Sequence, residues 1–173
     1  MRRTVFALLL ASMLGAAAAG AAPTRTAGEV DLLRVFRKEL PRVKRATRVP
    51  ILLPGRLLLA GKAPKLYADG GGQRGGWVLV LAGAPRCGGA NACFIASFEA
   101  KRGGRLPERA NLRLAGGVPA FFIPIRCGAS CGPASLWFVH GGVLYSWQVK
   151  DAPRAARTAL ARMASDAIRA GPR

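Results

Sequence analysis

Acidic residues, histidine and cysteine are all scarce in this chain, and each shortage removes a class of chemistry. His140 is the single histidine. It sits beside Gly141-Gly142 with no acidic or hydroxyl partner implied by the sequence, so a polar turn residue is a simpler role for it than a general base. The eight carboxylates, Glu29, Asp31, Glu39, Asp69, Glu99, Glu108, Asp151 and Asp166, are scattered. They suit local capping and charge balance, and no pair has catalytic logic. The Gly-rich stretch from Asp69 to Gly76 lacks the lysine and hydroxyl residue that a phosphate-cradling loop carries after its last glycine. A nucleotide site is therefore not expected, and no cofactor is implied.

The N-terminus is the most specific feature present. Arg2 and Arg3 precede an apolar run from Val5 to Leu14, followed by the small residues Gly15 to Ala22. These are the three regions of a secretory signal peptide. Ala19 and Ala21 supply small residues at −3 and −1, and Pro23 disfavours cutting after Ala22, so residues 1–21 are expected to leave and Ala22 to become the mature start. An uncleaved anchor is the competing reading, but the apolar segment is short for a bilayer span. The first cysteine is Cys87, which excludes lipid attachment at a new N-terminal cysteine. Thr4 and Val5 fit a twin-arginine signal poorly, leaving Sec export to the periplasm or beyond.

Lys plus Arg number 27 against 8 Asp plus Glu; without Arg2 and Arg3 the balance is 25 to 8, a net charge of +17. Such a chain is drawn to anions: nucleic acid, acidic polysaccharide, lipopolysaccharide phosphates or an anionic envelope surface. Codon bias competes as an explanation, since Arg far outnumbers Lys among abundant Ala, Gly and Pro. The dense basic cluster, Arg34, Arg37, Lys38, Arg42, Lys44, Arg45 and Arg48, is the candidate anion-binding site.

About 150 residues remain after cleavage, enough for one domain with its own core. Residues 22–29 read as a flexible lead-in and 30–173 as a single α+β domain. Val30, Leu33, Phe36 and Leu40 predict one short helix ending at Pro41. Val49 to Pro54 is apolar but bracketed by prolines, an extended piece or edge strand lying across the core. Asp69 to Gly76 reads as a loop between the short run Lys65 to Ala68 and a strand from Trp77 to Ala82.

Beyond it, apolar runs separated by short turn-rich connections predict a single antiparallel, meander-like sheet. Phe94, Ala96, Phe98 and Ala100 share one face of a strand over Cys93 to Lys101, and Ser97, Glu99 and Lys101 the other. Val118 to Ile125 follows, and Gly141-Gly142 predicts a hairpin between Ser135–His140 and Val143–Lys150. That register sets Phe138 opposite Tyr145 and Leu136 opposite Trp147 as a core ladder. A terminal amphipathic helix opens at Asp151 as N-cap, with Pro153 in its first turn and Ala156, Leu160, Met163, Ala164 and Ile168 on one stripe.

The four cysteines fall into two local pairs, Cys87 with Cys93 and Cys127 with Cys131. Three connectivities are open; export favours disulfides, and the two local ones are the simplest. Closing such short loops contributes on the order of 2 kcal/mol each. The gaps of five and three residues depart from zinc knuckles, so no metal is expected. A pair three residues apart between strands also departs from redox motifs at helix N-termini.

Arg48-Val49-Pro50-Ile51-Leu52-Leu53-Pro54, Cys87-Gly88-Gly89-Ala90-Asn91-Ala92-Cys93-Phe94, the stretch Leu136-Trp137 through Gly142 with Tyr145, and the helix Leu160 to Ile168 resemble a family of uncharacterised exported bacterial proteins. The chain is also distantly similar to a secreted domain of unknown function attached to bacterial lipoproteins and anti-sigma factors. The resemblance implies export and a single α+β domain and carries no catalytic residues. A non-catalytic binding domain with a basic surface for an anionic partner is the expected function. The alternative is an envelope enzyme, a hydrolase or thiol redox protein using His140 or the Cys127/Cys131 pair.

Overall fold

The computed structural model describes residues 28–87 and 92–173. The expected signal peptide, most of the lead-in and the centre of the first cysteine loop lie outside these residues. The fold is α+β. Strands β1 (Gly28–Asp31) and β2 (Arg56–Leu59) form a two-stranded ribbon; helices α1 (Leu32–Val35) and α2 (Glu39–Ala46) lie between them in sequence. The main sheet takes β3 (Tyr67–Gln73), β4 (Gly76–Ala82), β5 (Phe94–Arg102), β6 (Leu112–Arg113), β7 (Pro119–Ile123), β10 (Ala134–His140) and β11 (Val143–Val149). A small hairpin, β8 (Arg126–Cys127) with β9 (Cys131–Gly132), projects between β7 and β10, and α3 (Ala156–Ala170) closes the chain.

All neighbours in the seven-stranded sheet are antiparallel, in the order β3-β4-β5-β11-β10-β7-β6. This corrects the expectation of one meander-like sheet. Two meanders meet where the last strand, β11, pairs with β5, and the chain between β5 and β6 runs to the far edge. Side-chain size favours the seam, because Tyr145 faces Ala100 and Val149 faces Ala96, while Trp147 lies across Phe98.

The Gly141-Gly142 hairpin forms in the expected register, Phe138 with Tyr145 and Leu136 with Trp147. Both glycines have positive φ, 58° and 72°, the backbone a two-residue turn of this kind requires. On the covered face Phe36, Phe98, Trp147, Phe138, Tyr145 and Trp77 run as a chain of ring contacts with centroids 5.0 to 6.3 Å apart. Val49, Ile51, Leu52 and Leu53 are buried in this core, as the proline-bracketed segment suggested. The Pro50 carbonyl accepts hydrogen bonds from Trp77 Nε1 at 3.2 Å and from the Tyr145 hydroxyl at 3.0 Å, satisfying the polar ends of two core aromatics.

Four local expectations change. The N-terminal helix is two helices, with Asp31 capping α1 through the Arg34 amide at 3.0 Å and Pro41 in the first turn of α2, where a missing N–H is tolerated. Val30 and the lead-in residues Gly28 and Glu29 belong to β1. The Gly-rich stretch is not a loop: β3 pairs with β4 through Gln73 opposite Gly76. Its glycines serve close packing, since a Cβ on Gly72 would lie 3.0 Å from the Val43 carbonyl oxygen of α2, and one on Gly70 2.6 Å from Leu79 Cδ2. Finally, α3 begins at Ala156 with Ala155 as N-cap, so Asp151 is no cap; its carbonyl instead accepts the Ala60 amide at 2.7 Å. The stripe Ala156, Leu160, Met163 and Ala164 is buried in the core together with Ala167, while Ile168 is half-buried.

Candidate binding surfaces

Arg34, Arg37, Lys38, Arg42, Lys44, Arg45 and Arg48 are all exposed around α1 and α2. Burial of Leu32, Phe36 and Val43 on the opposite side of these helices leaves the basic side chains facing water. Among the described residues one member is ion-paired: Arg42 lies 3.4 Å from Asp69 and also donates to the Gly70 carbonyl at 2.6 Å.

The fold adds cations that sequence proximity does not show. The Arg48 amide donates to the Arg74 carbonyl at 3.3 Å, and Arg102 Nη2 donates to the Arg48 carbonyl at 3.1 Å. Arg48, Arg74 and Arg102 thus meet at the corner where α2 ends and the β3–β4 turn passes the end of β5, and all three are exposed. The first bond is between backbone groups and the second sets the Arg102 guanidinium on a neutral carbonyl, so neither cancels positive charge. Only strand pairing could have revealed this, because the three arginines are separated by more than twenty residues at each step. A second basic groove, about 340 Å³, lies between β6 and α3, lined by Arg113, Arg157 and Arg162 with Thr158 and Ser165.

The larger cleft, about 580 Å³, opens on the sheet face away from the aromatic core. Gln73, Val78, Glu99, Lys101, Trp137, Leu144 and Ser146 are among its lining residues. His140 ends β10 at the hairpin turn, half-buried, and does not line this cleft.

Both cysteine pairs are disulfides, Cys87–Cys93 and Cys127–Cys131, and among the described residues no cysteine is free. Cys127 and Cys131 face each other across the exposed β8–β9 hairpin, not at a helix N-terminus. Two such bridges suit an oxidising compartment. Among the described residues no group of three or more His, Cys, Asp or Glu side chains gathers as a metal site would require, and no helix is long and apolar enough to cross a membrane. No protein-family model, curated protein or solved structure matches this chain.

Proposed function

We propose that this chain is an exported, non-catalytic binding domain of the bacterial cell envelope whose basic edge captures an anionic envelope component or other polyanion. Export rests on the N-terminal signal-peptide pattern and accords with the two disulfides; residues 30–173 act as one unit with its helices packed on one side of the sheet. The observation carrying the binding reading is the convergence of Arg48, Arg74 and Arg102 beside the exposed α1–α2 cluster, of whose seven cations one, Arg42, is ion-paired among the described residues. The Arg102 guanidinium, held on a neutral carbonyl, keeps its attraction for an anion, and Arg48 and Arg74 are joined to it through their backbones.

The test is binding to a sulfated polysaccharide as a function of salt, for the parent and for Arg48→Glu/Arg102→Glu. The logarithm of the affinity should fall linearly with log salt, with a loss of more than about tenfold between low and physiological ionic strength, and the double charge reversal should weaken binding further and flatten the slope. Salt-independent binding, or a variant that binds like the parent, would remove this reading. Intact mass before and after reduction checks the compartment: a start at Ala22 and four thiols alkylated only after reduction are expected.

A further inference from the structure

We propose that the 580 Å³ cleft on the open sheet face is a binding site for an uncharged oligosaccharide. The site adjoins the basic corner at the β3–β4 turn but is lined by none of its three arginines. Its volume lies within the roughly 300–1,000 Å³ of small-molecule sites.

Its floor is built from two cross-strand rows. One runs Gly71, Val78, Glu99, Ser146, Trp137 across β3, β4, β5, β11 and β10; the next runs Gln73, Gly76, Lys101, Leu144. At one end the row begins with Gly71, around whose absent Cβ there is no atom within 4 Å, so the cleft is open there. At the other end stands Trp137. The chain has three tryptophans; Trp77 and Trp147 are 4% and 0% exposed in the core, whereas Trp137 is half-buried and reachable from the cleft.

This set of groups selects its ligand by chemistry. An indole presents an apolar plane of the kind on which the C–H face of a sugar ring packs; here half-buried Leu144 lies diagonal to it on β11, and the Phe121 ring on β7 lies 6.1 Å to its other side. Sugar hydroxyls both donate and accept, and the cleft offers a pure acceptor in Glu99, a pure donor in Lys101, and groups that do both in Gln73 and Ser146. Glu99 and Lys101 are two residues apart on one face of β5, about 7 Å along the strand, so their opposite charges offset each other toward any ligand spanning them. A charged ligand gains little there. Glu99 is also the one carboxylate among the lining residues, whereas glycoside hydrolysis normally takes two flanking the bond. The cleft therefore binds and does not cleave.

The experiment is titration of the full exported chain with cellotetraose and with N-acetylglucosamine tetramer to millimolar concentration, followed by tryptophan fluorescence and calorimetry. A saturable response to at least one, unchanged by added salt, is expected. Gly71→Val should weaken it about tenfold or more by filling the open end, with no loss of thermal midpoint because an added Cβ has no atom within 4 Å. Trp137→Ala should do the same by removing the platform. No saturable response to either oligosaccharide overturns the proposal, as does binding that Gly71→Val leaves intact. Binding seen only with a sulfated probe and abolished by salt would also overturn it and leave the basic edge as the sole binding surface.

Discussion

Phe138 and Trp137 are adjacent in β10, yet Phe138 is fully buried while Trp137 stays half-exposed at the wall of a cleft. The same contrast holds at Phe98 and Glu99 of β5 and at Tyr145 and Ser146 of β11, while Phe121, Ser97 and Ser135 are buried on the outer face. One face, carrying Trp77, Phe98, Phe138, Tyr145 and Trp147, is buried in one hydrophobic cluster with residues of α1, α2, α3 and the proline-bracketed segment. The other, carrying Glu99, Lys101, Ser146 and Trp137, meets solvent. Because side chains alternate along a strand, one sequence can write a structural surface and a binding surface into the same residues without compromise between them. Substitutions on the two faces should differ accordingly: the covered face should lose stability and the open face should lose only binding.

The largest effect is expected at the centre of the covered face. Trp147 contacts Phe98 and Phe138 edge to face, at 5.6 and 5.3 Å, so Trp147→Ala should cost about 3–5 kcal/mol in urea unfolding. Trp147→Phe should cost less, because the indole N–H has no hydrogen-bond partner to lose. A small effect of the alanine variant would mean that the face is less well sealed than its burial indicates.

Adjacent glycines of β3 give a sharper contrast. A Cβ on Gly70 would lie 2.6 Å from Leu79 Cδ2 and 2.9 Å from the Val78 carbonyl oxygen, while one on Gly71 meets nothing. Gly70→Val should destabilise by about 1–3 kcal/mol, and Gly71→Val should change stability by no more than about 0.5 kcal/mol. Equal thermal midpoints for the two variants would break the two-face account at its edge strand.

Tyr145 supplies a pH-dependent test of the same burial. Desolvation pushes its hydroxyl from 10.0 up to about 12, so the folded state holds the proton over a range where the unfolded chain has released it. Stability from this group is fully present below pH 10 and is lost as pH rises toward about 12. Tyr145→Phe should cost about 1 kcal/mol at neutral pH through the lost bond to the Pro50 carbonyl. It should also flatten the alkaline decline relative to the parent. Parallel alkaline curves for the two proteins would show that the hydroxyl is not sealed.

The smallest stability effect belongs to the open face. Trp137→Phe should shift unfolding by no more than about 0.5 kcal/mol while removing most acrylamide quenching, since Trp77 and Trp147 are in the core. Quenching that persists in the variant would place water beside a tryptophan of the covered face.

Much of the fold was legible where local signals agree. Alternation over Phe98 to Lys101 and the Gly141-Gly142 turn specified faces and register, because period-two patterning and a positive-φ dipeptide each leave few alternatives, whereas Ile95 and Ser97, expected on the outer face, are buried near the register shift at Leu81/Ala82. Close spacing paired the cysteines. What was illegible depended on distant partners. The glycines of β3 resemble a loop until α2 is seen lying against Gly72, and the pairing of β11 with β5 has no local signal. The helical periodicity of Val30 to Leu40 fails because Val30 pairs with Leu57 in a ribbon, a tertiary preference that outweighs the local pattern. Of the candidate site, the seven clustered cations were visible as a run. Arg74 and Arg102, and the cleft around Trp137, needed the sheet order to bring them together.

The central claim, that cations from three segments form one polyanion-binding corner, is tested most directly by following backbone amide NMR signals during titration with a sulfated oligosaccharide at low salt. Perturbations should concentrate at residues 34–48, Arg74 and Arg102, leave α3 and the covered face unmoved, and collapse when salt is added. Binding that instead perturbs the α3 groove around Arg157 and Arg162 alone, or no perturbation at all at low salt, would contradict it.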